Sequence, residues 1–201
     1  ENSILFAGFG YAYFQFVNMG IRQEEYIEQL NNCINKLFEI DSNSAYGHLL
    51  TGLVYTEFKG DKKQGIKHLS KAYYRDPNNS EIYMWLSFGY MVVGKMNKSF
   101  PLTEKFVEID PMNPLAHIGL AYQNYFIGRI RMSIEKILKV EQLDPENIFY
   151  LYNLAIFQLC DSQIDEALGT IKKILKLEPQ HFFAKFSQVL KYSILNDHDK
   201  M

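Results

Sequence analysis

Apolar residues along the chain recur at spacings of three and four, which stack them on one face of an α-helix. Ile134, Ile137, Leu138 and Val140 do so, as do Leu168, Ile171, Ile174, Leu175 and Leu177. The polar–apolar alternation of a half-buried strand is absent. The helical stretches are broken by markers that keep one interval. Pro77, Pro111, Pro145 and Pro179 follow one another every 34 residues, each directly after an acidic residue (Asp76, Asp110, Asp144, Glu178). Gly60, Gly94 and Gly128 keep the same interval, and Ser162 falls where the next glycine would stand. Glycine permits the left-handed conformation that closes a helix, and proline pushes the residue before it out of the helical region. Each unit therefore predicts helix A, a tight turn, helix B and a stop. A period of this length with two breaks per unit marks stacked helical hairpins.

The pattern extends to both ends. Residues 3–44 form a degraded first unit, with Phe9, Gly10 and Tyr13 on helix A and Leu30, Ile34, Leu37 and Ile40 on helix B. It carries roughly eight extra residues around Asn18 to Glu25, which predicts a loop longer than the regular turn. After the last proline, Phe182, Phe183, Phe186, Val189, Leu190 and Ile194 repeat the helical spacing, with Lys185 and Lys191 pointing elsewhere, so 182–196 is expected to cap the array. Pro101 falls in a predicted B helix. It is expected in the first turn or at a bend, because inside a helix it removes a hydrogen bond.

These residues resemble the tetratricopeptide-repeat family, with units at 45–79, 80–113, 114–147 and 148–181 following the degraded 3–44. Gly52, Tyr55, Gly65, Ala72 and Pro77 match the family's small, aromatic, small, small and proline positions, and Leu154, Ala155, Ala167 and Pro179 match in the last unit. Ser87 and Ala121 replace a usual glycine, while Phe106, Val140 and Ile174 replace a usual alanine. The resemblance covers residues 1–201 as a single array. It implies an all-α, right-handed superhelix of about five hairpins plus the cap, without enzymatic activity. It also implies a concave wall built from helix A, carrying Tyr46, Leu49, Leu53, Met84, Trp85, Phe88, Ile118, Tyr122, Tyr125, Phe149, Tyr152, Asn153 and Ile156. Family members that grip a terminal carboxylate place lysine, arginine and asparagine there, and only Asn153 belongs to that set. A wall of Trp, Tyr, Phe and Met suits an apolar peptide or an amphipathic helix as partner. The alternative is self-association as a homodimer or larger homo-oligomer, with the groove filled by the chain itself or by a second copy. Arrays of this kind often belong to larger signalling proteins such as kinases, cyclases and transcriptional regulators, where they dock or sense.

Composition narrows the chemistry. With 47% hydrophobic and 15% aromatic residues the chain can bury a core, and a net charge of −2 from 21 basic and 23 acidic side chains leaves no basic stripe for nucleic acid. Cys33 and Cys160 form no CxxC pair, so neither a disulfide framework nor a zinc site is indicated and a reducing, cytoplasmic setting is expected. Ile4 to Val17 carries Gln15 and two tyrosines without a basic flank, and Met84 to Val93 is too short to cross ~30 Å of hydrocarbon. No membrane segment is expected. The start at Glu1 rather than Met suggests a processed product or a piece of something longer.

Gly89 to Lys95 matches a phosphate-binding loop up to Met96, where Ser or Thr is required. It falls at the end of a helix rather than after a strand, so nucleotide binding is not expected. His48, His68, His117, His181 and His198 are scattered over different units, and His48 and His117 share one repeat position facing helix B, where a packing role is expected. Cys160 has Asp161 beside it rather than a base or a cation, the wrong neighbour for a nucleophile. Glu24 with Glu25, and Asp165 with Glu166, suit the starts of B helices electrostatically. No catalytic residue, metal or cofactor is assigned.

Overall fold

The computed structural model describes residues 2–195. Glu1, the last residue of the predicted cap (Asn196) and His198 lie outside them. Eleven α-helices and no strand occur among the described residues: α1 (Ser3–Asn18), α2 (Gln23–Ile40), α3 (Ala45–Leu53), α4 (Lys62–Arg75), α5 (Ser80–Val92), α6 (Met96–Ile109), α7 (Pro114–Phe126), α8 (Ile130–Leu143), α9 (Ile148–Cys160), α10 (Ile164–Leu177) and α11 (Phe182–Ile194). They fall into two compact units, Glu1–Ile109 and Asp110–Met201. In the first, α1–α2, α3–α4 and α5–α6 pair as hairpins, with α3 packed on α2 and α5 on α4. In the second, α7–α8 and α9–α10 are the hairpins, and α11 packs on α10 and α9. No helix among the described residues is long and apolar enough to cross a membrane.

One turn, written Asp-Pro-x-Asn, starts three of the A helices. The side chains of Asn79, Asn113 and Asn147 cap α5, α7 and α9 by accepting backbone N–H groups of Glu81, Leu115 and Phe149. Each Asn also donates its Nδ2 to the aspartate three residues back, Asp76, Asp110 or Asp144, at 3.2, 2.8 and 2.9 Å. At the other end of helix A, Gly60, Gly94 and Gly128 adopt φ of 67°, 74° and 79°. Ser162 takes the same conformation at φ 61°, which a side chain disfavours.

In the α3–α4 and α5–α6 hairpins the two helices cross on a pair of small residues, Gly52 with Gly65 and Ser87 with Ser99. In the first of these a Cβ added at Gly52 would lie 2.7 Å from Leu69 and 3.2 Å from the Gly65 carbonyl. In the second pair, the Ser99 hydroxyl donates to the Ser87 carbonyl across the crossing at 2.6 Å.

Three local features depart from, or add to, the sequence-based expectations. The extra residues of the first hairpin do not form a long loop. Residues 19–22 make the turn, against 127–129 in a regular unit, while α1 and α2 run to 16 and 18 residues where α7 and α8 have 13 and 14. The surplus has gone into helix because the interruption is confined to Gly20 and Arg22, at φ 74° and 40°. Pro101 is neither in the first turn nor at a break, since α6 continues through it. The carbonyl it leaves without a donor is that of Asn97, an exposed residue that water can satisfy. Finally, α3 runs into a π-helical turn, Val54–Phe58. Gly52 and Ser87 stand one residue further apart than the 34-residue interval, whereas Gly60 and Gly94 keep it. The surplus residue therefore lies between Gly52 and Gly60, and the wider turn absorbs it.

Candidate docking surface

In the Asp110–Met201 unit the side chains of α7, α9 and α11 form two groups of rings, one around Tyr122 and one around Phe183, joined through Asn153. Tyr122 contacts Phe126, and its hydroxyl donates to Asn153 Oδ1 at 2.8 Å. Asn153 Nδ2 in turn donates to the Phe149 carbonyl at 2.7 Å. The Phe149 and Tyr152 rings both lie against Phe183, at 5.4 and 4.9 Å, and Phe182 touches Phe183 and Phe186. Tyr125 stacks on the buried Phe157, with its hydroxyl 3.9 Å from Cys160 Sγ. Beneath the rings, Ile118 is buried and Ile156 packs against the core. Above them, Phe126, Phe149 and Phe186 remain 58%, 36% and 47% exposed. Asn153 is thus a buried spacer that ties one A helix to the next. Burial pushes the Tyr122 hydroxyl up to about 12, partly offset by the bond to Asn153, so it stays a neutral donor.

The corresponding positions of the Glu1–Ile109 unit are largely covered. Leu49 and Leu53 are core residues and present no surface. Phe14 of α1 is fully buried against Phe58 and lies edge-on to Trp85 at 5.5 Å. Trp85 is consequently half-buried; its Nε1 neighbours the Tyr11 hydroxyl but closes no hydrogen bond of good geometry. Tyr46 and Met84 are half-buried, and of the predicted wall residues in this unit only Phe88 is exposed.

No protein-family model matches the sequence, nor does any curated protein. Solved structures do. YrrB, described as a TPR protein with an unusual peptide-binding site, is similar at 19% identity and TM-score 0.65, over 88% of this chain and 90% of that one. A MamA structure is similar at 25% identity and TM-score 0.62, over 74% of this chain and 86% of that one. MamA from Desulfovibrio magneticus RS-1 is similar at 18% identity and TM-score 0.68, over 88% and 97%. The fold is that of a tetratricopeptide-repeat array.

Within this array the remaining candidate groups have structural partners. Gly89 to Lys95 ends α5, and the N–H groups of Val93, Gly94 and Lys95 go to the carbonyls of Gly89, Met91 and Tyr90, so no phosphate cradle is formed. One latch, not anticipated from sequence, recurs at the position His117 shares with Tyr83: His117 Nε2 lies 2.8 Å from the Pro111 carbonyl, and the Tyr83 hydroxyl donates to the Pro77 carbonyl at 2.9 Å. The contact requires His117 to carry its proton on Nε2. His48, also at that position, meets His68 instead, with Nδ1 to Nδ1 at 3.2 Å beneath Phe38 and Tyr55. One ring must donate and the other accept, which keeps the pair from being doubly protonated. Burial, followed by Lys71, His68 and Arg75, lowers His48 to about 4, with Asp41 opposing. Among the described residues no group of three or more His, Cys, Asp or Glu is placed to hold a metal ion.

Proposed function

We propose that the chain is a non-enzymatic protein-interaction scaffold that holds an apolar peptide or amphipathic helix against the aromatic wall of its Asp110–Met201 unit. The observation that carries this reading is the exposure of Phe126, Phe149 and Phe186 on two groups of rings that Asn153 bridges and whose inner members are held by packing and hydrogen bonds. Rigid aromatic surface is inexpensive to order on binding. Three or four apolar anchors buried there contribute several kcal/mol at ~25 cal/mol per Å², before the cost of association. The likeness to YrrB supports the reading, since that protein is described as having a peptide-binding site. A photo-crosslinking residue placed at Phe149 or Phe186 should capture a partner polypeptide, whereas the same residue at Tyr74, exposed on α4, should not. Equal capture at all three positions would remove the reading.

A second reading, self-association, is favoured by α1. This helix contains no charged residue, and Leu5, Phe9, Ala12 and Phe16, with Met19 just past its end, form an exposed stripe at alternating spacings of four and three, opposite the buried Ala7, Gly10, Phe14 and Val17. Two such stripes running antiparallel about Ala12 would remove on the order of 1,000 Å², the lower bound of a stable interface. Light scattering over a concentration series tests this reading. A dimer mass that falls to monomer in a Phe9→Glu, Phe16→Glu variant supports it, and a constant monomer mass excludes it.

A further inference from the structure

A cleft in the Glu1–Ile109 unit has chemistry unlike that of the aromatic wall. It measures about 240 Å³ and lies where α1, α3 and α5 meet. Ile4, Leu49 and Leu50 supply apolar walls, Tyr11 and Tyr46 flank it, and Glu81 is its one charged group. The volume is several times the ~30 Å³ share of a water molecule, enough for one long side chain.

Glu81 stands in the first turn of α5, where the helix terminus favours a carboxylate. Capping does not consume it, because Asn79 caps that helix and receives the Glu81 N–H itself. Among the described residues no cation lies within ion-pair distance of Glu81. Burial raises its pKa, and its charge is felt by Tyr11 across the cleft. A half-buried carboxylate without a counter-ion is unfavourable, and a cation entering the cleft reverses that. Tyr11 and Tyr46, which line the same cleft, add the attraction of aromatic rings for a cation.

We infer that this cleft receives an arginine or lysine side chain of a partner polypeptide, its alkyl stem against Ile4, Leu49 and Leu50 and its charged head at Glu81 between Tyr11 and Tyr46. The inference rests on the scaffold reading for its biological sense. Its chemistry belongs to the other unit, so each can fail alone.

Trp85 is the chain's one tryptophan and neighbours Tyr11, which makes its fluorescence a local reporter. The full chain is titrated with n-butylguanidinium and with its neutral counterpart n-butylurea, by fluorescence and by calorimetry in parallel. The expected result is a saturable response to the cation and a response about tenfold weaker to the urea, with a similar loss in Glu81→Gln at unchanged helical circular dichroism. Phe126→Asp with Phe149→Asp, in the other unit, should leave the cation titration unchanged even where it abolishes peptide capture. Equal binding of cation and urea, undiminished binding to Glu81→Gln, or silence in both methods would overturn the inference.

Discussion

The two units bring the same kind of hairpin to opposite ends. In Glu1–Ile109 most of the helix A wall is covered from within: Phe14 of the long α1 lies buried against Phe58 and Trp85, and Leu49 and Leu53 belong to the core, while Phe88 and Val92 stay exposed. In Asp110–Met201 the equivalent wall keeps Phe126 and Phe149 exposed over rings that already pack on one another. An inward-facing apolar position therefore has no fixed use in a repeat array. It becomes core where a neighbouring helix reaches over it and surface where none does.

Substitutions can break this contrast. Phe14→Ala should cost about 3–5 kcal/mol, because it empties a fully buried ring site. Phe149→Ala, on the exposed wall, should stay within about 1 kcal/mol while losing the partner. Urea denaturation followed by circular dichroism and by Trp85 fluorescence separates the two, and similar costs would mean that the walls do not differ.

Acid should act on the first unit specifically. His48 is held neutral, with its folded pKa near 4, below the ~6.5 of an unfolded histidine. Between those values the unfolded chain binds more protons, so this contribution to stability is full above ~6.5 and is lost as the pH falls towards 4. His68, also lowered mainly by burial, acts in the same direction. His48→Phe should therefore flatten the dependence of the urea midpoint on pH between 7 and 5; an unchanged slope would show that the pair is not its source.

Smaller effects sharpen what the units share. Asn113→Ala and Asn79→Ala should each cost roughly 1 kcal/mol in thermal unfolding, since both lose an N-cap and a bond to the preceding aspartate. Ser162→Gly should raise stability by about 0.5–1 kcal/mol by relieving its positive φ, whereas Gly128→Ser should lower it by a similar amount.

The fold was largely legible because proline and glycine act locally: Pro77, Pro111, Pro145 and Pro179 end their units wherever the rest of the chain lies. Two further signals are read against the same interval. The asparagines at 79, 113 and 147 are as regular as the prolines, and the displacement of Gly52 from that interval locates the π-helical turn at Val54–Phe58. The long helices of the first hairpin were harder to see, since nothing between Asn18 and Glu25 states how far a helix continues past a weak break. The wall was legible only as a list of inward positions. Periodicity places Leu53 and Phe149 on equivalent faces, and only tertiary packing decides that one is covered and the other is not. The cleft at Glu81 had no signature in sequence, because α1, α3 and α5 supply its residues from distant segments.

The exposed rings of the second unit are the proposed docking surface. Short amphipathic peptides selected for binding to the wild-type chain provide the direct test, through their affinity for a Phe126→Asp, Phe149→Asp variant and for a Tyr74→Asp control. The expected result is a loss of at least about tenfold in the double variant and none in the control. Peptides that bind the double variant as tightly as the wild type would contradict it.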